Sequence, residues 1–185
     1  MPQETAAADP NCRAPAGSRE QREDERFIRD WEARAARFGK PPPLGAFDLS
    51  PLRGAAWAHR FLVAADADPE RHAFMIYGGK FARMLGLPEM PEQPMPMLAH
   101  LPDRYRPVFA KGCGDALARQ APVCLSGVFG LGAGEPETYR VCFAPVALSD
   151  RRNMRGVFGA FNCRLRRPEF WPRPRLACAS PGAVG

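Results

Sequence analysis

The sequence predicts an α+β domain: one five-stranded antiparallel sheet with helices on one face, preceded by an N-terminal amphipathic helix. Three observations lead there. Two β-like runs, residues 57–64 and 72–77, come before a helical stretch, and three more, 123–130, 137–148 and 155–165, come after it. The later runs alternate their side chains with a period of two, as strands in a sheet with unlike faces do. A charged segment with apolar residues at helical spacing precedes them all.

Taken in order, residues 1–18 are Ala, Pro and polar, and read as a disordered tail. Ser18 and Gln21 have capping-box spacing, and "REQREDERFIRDWEARAARFG" forms a helix until Gly39 and the prolines at 41, 42 and 43 stop it. Phe27, Ile28, Trp31, Ala35 and Phe38 make one apolar stripe along it. The stripe packs either on the chain's own domain or on a second copy of itself, which makes Phe27, Ile28 and Trp31 the candidate partner-contact residues. "PPPLGAFDLSPL" is a linker, so residues 19–52 comprise helix and linker.

The domain proper spans residues 53–167. Its first strand, over 57–64, ends in the turn signals Asp66, Asp68 and Pro69, and His72–Tyr77 returns as an antiparallel partner. Gly78 and Gly79 let the chain leave the sheet and enter the short helix "KFARMLG", with Phe81, Met84 and Leu85 on one side and Gly86 at its end. Residues 88–102 hold five prolines and three methionines, a loop with an apolar lining in which no regular element is expected. Past Pro107 a longer helix places Phe109, Cys113, Ala116 and Leu117 at helical spacing, with Gly112 and Gly114 each costing about 1 kcal/mol against Ala. In the last three strands Tyr139, Val141 and Phe143 alternate with Arg140, Cys142 and Ala144, and Val157, Phe161, Cys163 and Leu165 share a face. Residues 168–185 are a basic, Pro-rich tail.

A chain of 185 residues suits one domain plus tails and needs no disulfide to hold it. The six cysteines are scattered, without zinc-site spacing, and read as reduced, mostly buried thiols. With neither a signal-peptide pattern nor a long apolar run, the expected location is cytoplasmic. The net charge of +6 divides into −2 over residues 1–30, +1 over 31–150 and +7 over 151–185. A nucleic-acid or acidic-surface contact through Arg166, Arg167, Arg173 and Arg175 is therefore the first alternative function, although the prolines among them argue against a recognition helix.

The segments "DLSPL", "FMIYGGKFARMLGL", "YRPVFAKGCGDALARQAPVCLSG", "YRVCFAPVAL" and "RGVFGAF", in this order, resemble the PAS-like domains of bacterial regulatory proteins. They are similar in particular to a short, mostly stand-alone group with a leading helix, a "D.SPL" segment and a Gly, here Gly78, after the second strand. The resemblance covers residues 27–165, departs from the pattern at "MPEQPMPM", and has "CRLRRPEFWPRP" in place of an output domain. It implies a non-enzymatic sensory or regulatory module: a homodimer through the helix bearing Trp31, touching other regulatory proteins, with a small apolar ligand in those members that hold one between sheet and helices.

No cofactor is required. "FNCRL" echoes the flavin-adduct motif of photoreceptor domains, but Cys163 lies on the last strand rather than on a helix, so flavin is not expected. Haem is not expected either, since the helix after Pro107 lacks His and only His100 lies nearby. "GLGAG" and "GGK" read as turns. His59, His72 and His100 read as surface or partner-bonded imidazoles. A cysteine-dependent enzyme or redox sensor, for instance through Cys113 and His100, is the second alternative, but no catalytic set stands out.

Overall fold

The computed structural model describes residues 19–47, 57–89, 94–129, 137–148 and 154–165. The expectations for the N-terminal tail, the "DLSPL" stretch, the "GLGAG" turn and the basic tail lie outside these residues. The element order is α1 (Arg19–Phe38), β1 (Arg60–Ala65), β2 (Ala73–Tyr77), α2 (Gly79–Leu85), β3 (Met95–Pro96), α3 (Met97–His100), α4 (Arg106–Arg119), β4 (Val123–Phe129), β5 (Glu137–Ala147) and β6 (Arg155–Leu165). The fold is α+β, and its single sheet runs β3-β2-β1-β6-β5-β4 with every neighbouring pair antiparallel. Two strands, a helical insert and three strands are the arrangement the PAS-like resemblance implied.

Two corrections concern the sheet. Its strands number six, because Met95 and Pro96 pair with Phe74 and Ala73 inside the supposed loop. Proline is tolerated there because β3 is an edge strand, where a missing N–H breaks no further pairing. The first strand also starts later than expected, at Arg60; Trp57 ends a short 3-10 segment, and Ala58 and His59 form the turn before the strand.

The helices occupy both faces rather than one. Phe61, Val63, Phe74, Val141, Phe143, Val157 and Phe161 face α2, α3 and α4, which contribute Phe81, Leu85, Met97, Phe109, Cys113 and Ala116. On the outer face, Leu62, Cys142, Ala144, Val146 and Phe158 are covered by Phe27, Trp31 and Ala35 of α1 together with Phe47 and Trp57. That two-sided cover explains the continuous burial of residues 141–146, where alternation alone would leave every second side chain in water. Phe38, counted in the stripe, is 49% exposed.

Glycines make the closest approaches. Gly78 has ordinary extended angles, so conformational freedom is not why it is there. A Cβ at this position would lie 1.9 Å from the carbonyl oxygen of Trp57 and 2.6 Å from that of Ala58, while one at Gly79 would meet nothing within 4 Å. The pair therefore separates cleanly on mutation. Gly78→Ala should destabilise by about 1–3 kcal/mol, since backbone must move, whereas Gly79→Ala should be neutral or stabilising by up to ~1 kcal/mol. Urea midpoints of the two variants check this. Gly86, by contrast, ends α2 at φ +66°, the left-handed cap that glycine supplies without steric cost.

His72 knits the β1–β2 turn to the start of α3. Its Nδ1 accepts from the Asp66 N–H at 3.2 Å, and its carbonyl accepts from the Met97 N–H at 2.7 Å. Burial holds its pKa below the usual 6.5, against the pull of the Asp66 and Asp68 carboxylates. A depressed folded-state pKa means that the unfolded chain binds the proton more readily. Stability contributed by neutral His72 is thus present above pH 6.5 and lost as pH falls through the lower folded-state value. Stability plotted against pH should decline on the acid side of 6.5, less steeply in His72→Gln.

Candidate functional site

Of the three residues expected to make partner contacts, Phe27 and Trp31 are drawn into the chain's own core. Phe27 and Trp31 are buried, 4% and 1% exposed, while Ile28 beside them is half-buried. Within this single chain the stripe packs in cis. The physical reason is the outer sheet face, whose apolar side chains would otherwise stand in water.

The docking of α1 is specific as well as apolar. The Trp31 Nε1–H donates to the Pro145 carbonyl at 2.7 Å. β4 pairs only as far along β5 as Phe143, and beyond that point Pro43 forms a bridge with Ala147, whose N–H donates to the Pro42 carbonyl. Arg34 donates from Nε to the Ala46 carbonyl at 2.8 Å and stacks 4.8 Å over Phe47. Arg60 of β1 lies 4.6 Å over the Phe27 ring, and Asp24 pairs with Arg140 of β5 at 3.2 Å. These contacts hold both ends of one helix against the sheet.

The inner face of the sheet is filled by the chain's own rings. Phe61 lies 5.1 Å from Phe81, 5.3 Å from Phe109 and 5.7 Å from Phe143, and Phe81 and Phe109 both reach Phe161. Two glycines make room for this packing: a Cβ on Gly112 would stand 2.0 Å from the Phe143 ring, and one on Gly159 2.1 Å from Phe61. Gly112 is therefore needed in α4 despite its helix cost, while Gly114, with open space, is not.

At one end of this core lies a polar cluster that the sequence did not announce. The Tyr105 hydroxyl donates to Glu137 Oε1 at 2.6 Å, and Arg104 Nη2 meets Oε2 at 2.9 Å, so both oxygens of a buried carboxylate are held. Burial, and then the hydrogen bond to Glu137, push the Tyr105 hydroxyl far above its usual range. Burial, and then Glu137, raise Cys163 to about 11, and burial alone raises Cys113 strongly. Both free cysteines among the described residues are thus held as thiols at neutral pH, which withholds from them the thiolate a nucleophilic cysteine needs. The cluster ties the start of α4 to the start of β5. Its members reside on segments far apart in sequence, and no local pattern marks them.

The largest correction concerns the cysteines. Cys124 of β4 and Cys142 of β5, expected as reduced thiols, are joined by a disulfide across directly paired positions whose Cα atoms are 4.1 Å apart. Cys124 is exposed, whereas Cys142 is fully buried within the cluster that α1 covers. Among the described residues no three His, Cys, Asp or Glu side chains are placed to hold a metal ion. No helix among them is long and apolar enough to cross a membrane.

No family model and no curated protein matches the chain. Among solved structures, an RNA-binding light-oxygen-voltage receptor is similar at 24% identity and a TM-score of 0.37, over 60% of this chain and 31% of the receptor. The chain thus spans about a third of the length of that protein. A fungal LOV domain photoreceptor is similar at 18% identity and a TM-score of 0.36, over 71% of this chain and 87% of the photoreceptor.

Proposed function

We propose that the chain is a non-enzymatic PAS-like sensory or regulatory module that acts through protein–protein contacts. The observation that carries this reading is the docking of α1. An amphipathic helix at one end of the chain closes the outer face of a sheet whose inner face is already closed by aromatic side chains. Such a helix can exchange one apolar surface for another without disturbing the core beneath the opposite face. In this reading regulation lies in whether α1 stays down, and a small apolar ligand would have to displace the Phe61, Phe81 and Phe109 rings to enter.

Homodimerisation belongs to the same proposal. It takes place by exchange, α1 of one copy lying on the sheet of the other, so that Phe27 and Trp31 make between copies the contacts they make here within one, with half-buried Ile28 beside them. Other regulatory proteins would meet the same face. Sedimentation velocity over a concentration series tests it, with Arg140→Glu as the variant, because that change repels Asp24 without removing a core side chain. The expected result is a concentration-dependent monomer–dimer equilibrium of the wild type that Arg140→Glu reaches faster at a similar balance, since the change loosens α1 equally in the closed monomer and in the exchanged dimer, both of which carry the Asp24–Arg140 pair. A wild type and variant that both sediment as monomers at every concentration would remove the dimer and the role given to α1.

A further inference from the structure

We propose that the Cys124–Cys142 pair is a thiol–disulfide exchange site for low-molecular-weight thiols, opened at Cys124, with α1 as the element that reads its state. The pair bridges β4 and β5, and its two ends differ completely in access. Cys124 is exposed on an edge strand, while Cys142 is fully buried in the same apolar cluster as Phe27, Trp31 and Ala35. An incoming thiolate therefore reaches only one sulfur, and access decides which sulfur is attacked.

The backbone makes the reaction reversible. Seven consecutive residue pairs, Val123↔Phe143 through Phe129↔Glu137, hold β4 on β5 whether or not the sulfurs are bonded. The two sulfurs thus stay side by side when the bond opens, which a disulfide closing a loose loop does not provide. The remaining described cysteines cannot take part from where they sit. Cys113 and Cys163 pack on the inner face of the sheet, opposite to Cys142.

The electron balance requires two thiols. The first attacks Cys124 Sγ as thiolate, forming a mixed disulfide there and releasing Cys142 as a thiolate that takes up a proton. The second attacks the outer sulfur of the mixed disulfide, leaving as the oxidised small-molecule disulfide and releasing Cys124, which is protonated in turn. The reverse path runs from the small-molecule disulfide to the bonded pair. Its effect reaches α1 because Cys142 lies under that helix, two residues along β5 from Arg140, the partner of Asp24. The reduced pair puts a free thiol, no longer tethered to β4, beneath Phe27 and Trp31.

This inference does not rest on the regulatory reading, because exchange at Cys124 can be measured on a monomer with no partner present. The full chain is equilibrated across reduced and oxidised glutathione, quenched with acid, alkylated, and mapped by mass spectrometry. Hydrogen exchange of α1 is followed at both ends of the series. The expected result is opening of the pair in native buffer, with every glutathione adduct of the pair on Cys124. α1 amides should exchange several-fold faster once it is reduced, and Cys124→Ser, an exposed position that should leave the fold intact, should match the reduced wild type. A variant lacking Cys12 and Cys178 should behave as the wild type. A bond that opens only in denaturant, adducts shared with Cys142, or α1 exchange that is the same in both states would each overturn the proposal.

Discussion

Replacing Phe61 by Ala should cost about 3–5 kcal/mol, the range for removing a buried aromatic ring. Phe61 has no exposed surface and is ringed by Phe74, Phe81, Phe109 and Phe143. The site has little scope to collapse, because its neighbours come from β2, α2, α4 and β5, which are pinned independently. At roughly 2–4 °C per kcal/mol for a chain of this size, the melting temperature should fall by about 6–20 °C. The urea midpoint should fall with the slope of the transition unchanged. The void should also be apolar and dry, and a cavity of that kind takes up benzene. Benzene should therefore raise the melting temperature of Phe61→Ala and leave the wild type unmoved. A wild type stabilised as much as the variant would mean that the inner face already has room for a small apolar molecule. That outcome would return ligand binding to the account of function.

The strands on either side of Phe61 were legible in the sequence to different degrees. β4, β5 and β6 appear within a residue or two of where alternation put them, because each is long and bounded by Gly-rich or polar turns. β3 escaped notice because proline density is evidence against a strand in general, and only an edge position lifts the objection. The uninterrupted run "VCFAPVA" did carry a sign that β5 is covered on both faces.

The disulfide shows a different limit. Composition and spacing treat cysteines one at a time, whereas Cys124 and Cys142 meet through strand register. They stand equidistant from Ala133, in the middle of the β4–β5 connection, and a hairpin drawn with that centre pairs them. The signal was present once the hairpin was accepted. The cluster of Arg104, Tyr105, Glu137 and Cys163 had no such signal, since it is assembled from a helix start and two strand ends.

Trp31→Ala should remove a further 3–5 kcal/mol or so, by a route that separates the outer layer from the inner one. The ring is 1% exposed, and its Nε1–H is the hydrogen-bond partner of the Pro145 carbonyl. Two losses therefore combine, apolar burial and a buried acceptor left unpaired. Trp31→Phe isolates the second: most of the apolar contact survives, and the expected cost drops to about 1–3 kcal/mol. The location of the damage matters more than its size. Phe61 belongs to the core beneath α2 and α4, whereas Trp31 belongs to the core beneath α1. Hydrogen exchange in Trp31→Ala should accelerate first in α1, and much less at the inner-face positions of β1 and β6. The uncovered outer face, with Leu62, Val146 and Phe158, should make the variant associate at concentrations where the wild type does not. If exchange instead rose uniformly through the sheet, α1 would be an inseparable part of one cooperative unit. A helix that cannot leave without unfolding the domain could not serve as its regulated contact.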